Sequence, residues 1–173
     1  MKRHVAFLRG INVSGQKLIK MEVLKGIFND NGYADVVTYI QSGNVVFNAK
    51  GKPEKIRTDI EKMLENALGY KVVTIVRTVD ELKEVVANNP FPELKEGEKL
   101  YITFLSAIPD ADKLETLGRV LADGEKMQVI GREVFFVSSA YGNTKFSNAY
   151  IEKQLKLDAT TRNLATTIKV TTL

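Results

Sequence analysis

The sequence contains no cysteine. That absence excludes disulfide staples, thiolate nucleophiles, Cys-zinc sites and iron–sulfur clusters. Histidine is nearly missing too, His4 being the only one. There is no Gly-x-Ser-x-Gly elbow, and nothing marks Ser and Asp partners for a triad on His4. His4 reads as a strand residue, and no catalytic residue can be assigned. The chain has no EF-hand spacing and no His-x-x-x-His pair. Its close carboxylates, Asp80-Glu81 and Asp110 with Asp112, fall in first helical turns, where they favour the helix dipole. No metal and no cofactor is expected.

Long apolar runs are also lacking. No stretch reaches the roughly 18–20 residues of a membrane span. After Met1-Lys2-Arg3 only Val5–Leu8 precedes Arg9, too short for a signal h-region of about 7–15 residues. Without staples, leader or span, the expectation is a cytoplasmic protein that does not engage a membrane. Proline is scarce, and Pro53, Pro90, Pro92 and Pro109 all sit at plausible element boundaries. No low-complexity tract or Gly/Ser linker divides the chain.

What is present is an ordinary globular composition: 173 residues, 44% hydrophobic and 27% charged. This suits one domain, or two small halves sharing a core. Such a chain buries roughly 70% of its unfolded surface and needs no staple. The net charge of +4 hides an asymmetry. Residues 1–77 hold 13 Lys+Arg against 7 Asp+Glu, residues 78–140 hold 7 against 12, and residues 141–173 hold 5 against 2. The basic ends either dock on the acidic middle or form a face for an anionic partner.

The hydrophobic pattern gives the element order. His4–Arg9 reads as a strand and Gly10–Gln16 as a loop. Met21, Leu24, Ile27 and Phe28 recur at helical spacing, with Asn31-Gly32 as the stop. Residues 36–48 read as a hairpin turning at Ser42-Gly43-Asn44. Pro53 opens a helix whose stripe is Ile56, Ile60, Met63, Leu64, Ala67 and Leu68, ending at Gly69. Lys71–Arg77 is a β-branched strand. The order β-α-β-β-α-β over residues 1–77 is the split βαβ, or ferredoxin-like, arrangement.

Thr78 and Glu81 form a capping box for a helix over Val79–Val86, and an acidic connector completes residues 78–98. Residues 99–173 repeat the theme. Leu100–Leu105 is a strand, and Pro109-Asp110 opens a helix. Met127–Ile130 and Glu133–Val137 form a hairpin across Gly131-Arg132. Ser147 caps a further helix. Thr160-Thr161-Arg162-Asn163 is expected to begin a last helical stretch, so this half lacks its closing strand unless residues 166–173 supply it. The fold class expected is α+β, two ferredoxin-like halves, the second incomplete, packed as one unit.

Three separated strings stand out: Arg9-Gly10-Ile11-Asn12-Val13-Ser14-Gly15, Tyr39-Ile40-Gln41-Ser42-Gly43-Asn44-Val45, and Thr160-Thr161-Arg162-Asn163. Their order and spacing resemble the bacterial family known as domain of unknown function 1697 over essentially the whole chain. Lys145-Phe146-Ser147-Asn148 resembles it as well. Leu164 departs from it, since an aromatic residue is expected after Thr-Arg-Asn. The resemblance implies two ferredoxin-like halves and no particular activity.

Read as chemistry, Arg9–Gly15 is neither a Walker loop nor a Gly-x-Gly-x-x-Gly fingerprint. It joins a strand to a helix, carries Gly10 and Gly15, and has Lys17 and Lys20 close behind. Converging backbone N–H groups could hold an anion there, with Arg9 adding a bidentate contact. Alternatively the glycines only permit positive φ and Arg9 covers a sheet edge. In the antiparallel order, strand three starts beside the end of strand one. Arg9, Asn12, Ser42, Gly43 and Asn44 then meet at one edge. A composite site would add Lys145, Thr161, Arg162 and Asn163. Arg162 in a first helical turn opposes the dipole and asks for a carboxylate or an anionic ligand.

Base stacking on an open sheet, as in RNA-recognition modules, would need exposed aromatics on strands one and three. Phe7 and Phe47 occupy those strands, but Val45 and Val46 make both faces apolar, so both should be covered. The candidate partners are thus an anionic small molecule, such as a nucleotide or phosphate metabolite, or nucleic-acid phosphate, bound by a monomer or weak homo-oligomer. Two alternatives stay open: an enzyme using Lys or Arg electrostatics on a phosphorylated or carboxylated substrate, and an interaction module whose strings only staple the halves.

Overall fold

The computed structural model describes residues 1–173. The chain divides into two compact units, Met1–Lys83 with Lys169–Leu173, and Glu84–Ile168.

The first unit runs β1 (Lys2–Leu8), α1 (Met21–Asp30), β2 (Ala34–Tyr39), β3 (Asn44–Ala49), α2 (Pro53–Leu68) and β4 (Thr74–Thr78), followed by the start of α3 (Val79–Ala87). Its sheet has the antiparallel order β2-β3-β1-β4, the ferredoxin-like arrangement expected. Local chemistry sets the ends of α2. Pro53 occupies the first turn, where its missing N–H costs nothing. Gly69 closes the helix in left-handed conformation (φ 80°), its N–H donating to the Glu65 carbonyl at 2.9 Å. Between them Ile56, Ile60, Met63 and Leu64 are buried along one stripe. They meet Leu24 and Phe28 of α1 and the Ala6, Leu8, Val45 and Phe47 face of the sheet in one core. Phe47 packs on Phe28 and Tyr33, with ring centroids 5.5 and 4.9 Å away. Burying such a ring stabilises by about 1.5–3 kcal/mol.

The sheet's second face is interior as well: Val5, Phe7 and Val46 are fully buried. With Phe7 and Phe47 both inaccessible, neither strand offers a stacking platform for bases.

The second unit comprises the end of α3, then β5 (Lys99–Leu105), α4 (Ala111–Leu117) with a 3-10 turn at Gly118–Val120, β6 (Lys126–Ile130), β7 (Glu133–Ser138), a 3-10 turn at Tyr141–Asn143, α5 (Asn148–Leu155), β8 (Ala159–Asn163) and α6 (Leu164–Val170) up to Ile168. Its sheet order β6-β7-β5-β8 repeats that of the first. The expectation of an incomplete second half is therefore corrected. The closing strand is Ala159–Asn163, the segment expected to open a helix, while residues 164–170 of the tail are helical. The reason is tertiary. Thr161 lies opposite Thr103 and Arg162 opposite Ile102 in an antiparallel ladder. β-branched threonines suit that pleated surface better than a helix. The helix starts only after Asn163, whose Oδ1 accepts from the Thr166 N–H at 2.8 Å.

Candidate functional site

Arg9, Gly10, Asn12, Gly15, Ser42, Gly43 and Asn44 belong to the first unit, and Lys145, Thr161, Arg162 and Asn163 to the second. Within the first, the antiparallel register brings the two strings together as the topology requires. The Leu8 N–H donates to the Gly43 carbonyl at 2.8 Å, and Phe7 lies opposite Asn44.

Asn12 is the knot of this rim. Its Oδ1 accepts from the Ile19 N–H at 2.8 Å. Its Nδ2 donates to the carbonyls of Ile19 at 3.0 Å and Gln41 at 2.9 Å. One side chain thereby closes the loop on itself and ties it to the β2–β3 turn. The bonds hold an unusual backbone. Asn12, Ser14 and Lys17 have φ of 52°, 51° and 48°, and Ile40 in the neighbouring turn has φ 50°. Left-handed backbone is costly for a residue with a Cβ, most of all a β-branched one. Gly10 and Gly15 share the sign at no such cost, with φ 70° and 74°.

Asn44 is fully buried, and its Nδ2 donates to the Tyr39 carbonyl at 2.9 Å and Ser42 Oγ at 3.1 Å. Gly43 is demanded by space: a Cβ there, at φ 82°, would lie 2.5 Å from Ile11 Cδ1 and 3.0 Å from Leu8 Cβ. Arg9, half-buried, leaves β1 with its N–H donating to the Val73 carbonyl at 2.9 Å. The Lys17 ammonium sits over the Tyr70 ring, 5.5 Å from its centroid. The first unit as a whole carries 15 Lys+Arg against 9 Asp+Glu, whereas the second carries 10 against 12.

In the second unit Thr161 Oγ1 lies 2.7 Å from Thr103 Oγ1 and donates to Asn148 Oδ1 at 2.9 Å. Arg162 is a strand residue, so the argument from an opposed helix dipole falls away. Its Nη1 donates to Thr160 Oγ1 and the Thr161 carbonyl, each at 2.8 Å. With 8% of its surface exposed, burial pulls the guanidinium down to about 10, against the nearby Tyr141. Tyr141, stacked on Tyr101 at 4.0 Å, is raised above the usual phenol range by burial. Lys145 is exposed and lines a cavity of about 490 Å³. Ile40, Glu125 and Tyr141 were not among the residues singled out from sequence. Nothing in a single sequence marks a left-handed isoleucine or a carboxylate whose donors come from distant turns.

A family model described as a protein of unknown function, DUF1697, matches residues 1–135. No curated protein matches the chain. Among solved structures, a conserved bacterial protein from Streptococcus pneumoniae superposes with a TM-score of 0.77 at 18% identity, covering 99% of this chain and 97% of that one. At that identity the likeness is one of fold, and it agrees with the two repeated four-stranded sheets. The strings at Arg9, Tyr39 and Thr160 thus sit on the expected scaffold, and the chain belongs to the DUF1697 family.

Proposed function

We propose that the protein binds an anionic ligand at the rim of its first unit, on the loop between β1 and α1. The ligand class is a nucleotide, a phosphate metabolite or nucleic-acid phosphate. One observation carries this reading: within six residues, Asn12, Ser14 and Lys17 all hold left-handed backbone. Each such residue costs of order 1–3 kcal/mol, and strain of that kind concentrates where a backbone must present itself in a fixed shape. Ser14 and Gly15 at the tip are exposed, and their N–H groups make no hydrogen bond within the chain. Oriented amides of this type attract anions. Arg9 and Lys17 flank them, and the excess of basic residues in this unit raises the local concentration of negative ligands.

The test is a titration of the ¹⁵N-labelled protein with inorganic phosphate, ATP and a short single-stranded RNA. The expected result is saturable shifts of the Ser14 and Gly15 amides, lost in Arg9→Ala and Lys17→Ala at unchanged melting temperature. If none of the three anions moves those amides at millimolar concentration, the reading is wrong.

A further inference from the structure

The second unit contains a cavity of about 490 Å³ lined by that unit's own residues. Its size lies within the roughly 300–1,000 Å³ of small-molecule sites. Two segments form its walls. One follows α4 and carries Arg119 with the half-buried Val120 and Leu121; the other follows β7 and carries Ala140 and Lys145. Glu125 lies on the cavity lining and joins the two. Its Oε2 accepts from the Ala122 N–H at 2.9 Å, and its Oε1 accepts from Ser138 Oγ at 3.1 Å. Thr144 adds a further side-chain hydrogen bond to the carboxylate.

These donors are themselves anchored. Ser138 Oγ accepts from the Ala140 N–H, and Thr144 Oγ1 from the Phe146 N–H, each at 3.1 Å. The carboxylate is thus held by both walls. Burial alone would push the carboxyl up, but the bonds from Ala122, Thr144 and Ser138 outweigh burial and bring it below the usual carboxylate range, so it is charged at neutral pH. Each carboxylate oxygen can accept two hydrogen bonds, so the three donors Ala122, Ser138 and Thr144 leave one of the four positions open.

The lining thus combines one fixed negative charge, two positive side chains and an apolar wall. A simple anion would meet the carboxylate, and a simple amine would meet Arg119 and Lys145. We infer that this cavity binds a small zwitterion with an apolar body, of the α-amino acid class. Its ammonium donates to the Glu125 carboxylate, its carboxylate faces Arg119 and Lys145, and its side chain lies on Val120 and Leu121. This inference is independent of the anion site on the first unit.

The experiment compares L-leucine with two analogues that each lack one charge, 4-methylpentanoate and isoamylamine, by titration of the ¹⁵N-labelled full chain. Leucine is expected to shift the Ala122, Ala140 and Lys145 amides saturably, and each analogue to bind at least about tenfold more weakly, the loss that accompanies one charge-assisted hydrogen bond. Arg119→Ala and Lys145→Ala, both at exposed positions, should weaken leucine without changing stability. Glu125→Gln should erase the preference of leucine over 4-methylpentanoate. Because that variant could also loosen the walls, the analogue series on the native protein decides. Equal binding by either analogue, or no shift with leucine at millimolar concentration, overturns the inference.

Discussion

Asn12 Nδ2 donates to the Gln41 carbonyl at 2.9 Å across 29 residues of chain. This bond converts two separate turns into one rim. The same amide group serves Ile19 with its oxygen and its nitrogen, so the side chain satisfies three backbone groups on two segments. Asn12 makes these bonds from a left-handed φ of 52°, and asparagine tolerates that conformation better than most residues.

Asn12→Ala should accordingly destabilise the protein by about 3–5 kcal/mol, from two or three lost hydrogen bonds of about 1 kcal/mol each and a left-handed alanine of about 1–2. Asn12→Gly loses the same bonds without the conformational cost and should be milder by about 1 kcal/mol. Urea denaturation measures both. Equal losses in the two variants would show that the left-handed backbone is not a cost the native loop bears.

Gly43→Ala makes a sharper case, because conformation and space forbid it together. The added methyl would fall 2.5 Å from Ile11 Cδ1 and 2.9 Å from its Cγ1, at φ 82°. Ile11 is buried, so its side chain has little room to yield. Overpacking of this sort costs about 1–3 kcal/mol beyond the backbone term. Ile11→Val removes the nearest clashing atom. In a double-mutant cycle the pair should therefore couple favourably, by at least about 0.5 kcal/mol. Strict additivity of the two substitutions would rule the clash out as the cause.

The elements readable from sequence were those set by near neighbours. Ser147 caps α5 through the Tyr150 N–H at 3.1 Å. Thr78 and Glu81 exchange the two bonds of a capping box, at 2.7 and 3.1 Å. Each involves residues three apart, so composition and spacing suffice. The segment at Thr160 misleads for a related reason. Asn163 does cap a helix, and a cap so close to two threonines draws the boundary too early. What makes residues 159–163 a strand is Thr103, 58 residues before Thr161 and paired with it. The meeting of Asn12 with the 41–44 turn followed from antiparallel topology. The left-handed backbone of Asn12, Ser14 and Lys17 did not, since the bonds that impose it exist only once the loop has closed on Ile19 and Gln41.

His4 supplies a pH-dependence that can be assigned to one residue, because the chain has no second histidine. The ring is fully buried in β1 and stacked on Phe47, with centroids 5.8 Å apart. Its Nδ1 lies 2.9 Å from the Lys2 carbonyl. A carbonyl can only accept, so the proton resides on Nδ1, leaving Nε2 buried with no partner. Burial lowers the imidazole below its usual value of 6.5, outweighing the Lys2 carbonyl and Glu81, which favour the cation. The unfolded chain then takes up a proton near pH 6.5 that the folded chain refuses. Stability should be fully present above that pH and decline as pH falls below it, until the folded-state value is reached. The slope for one group cannot exceed about 1.4 kcal/mol per pH unit. Denaturation at successive pH values from 7.5 to 5 measures it, and His4→Gln should flatten the profile over that window. A native profile as flat as that of the variant would show that His4 accepts its proton in the folded state, and that the orphaned Nε2 reaches water.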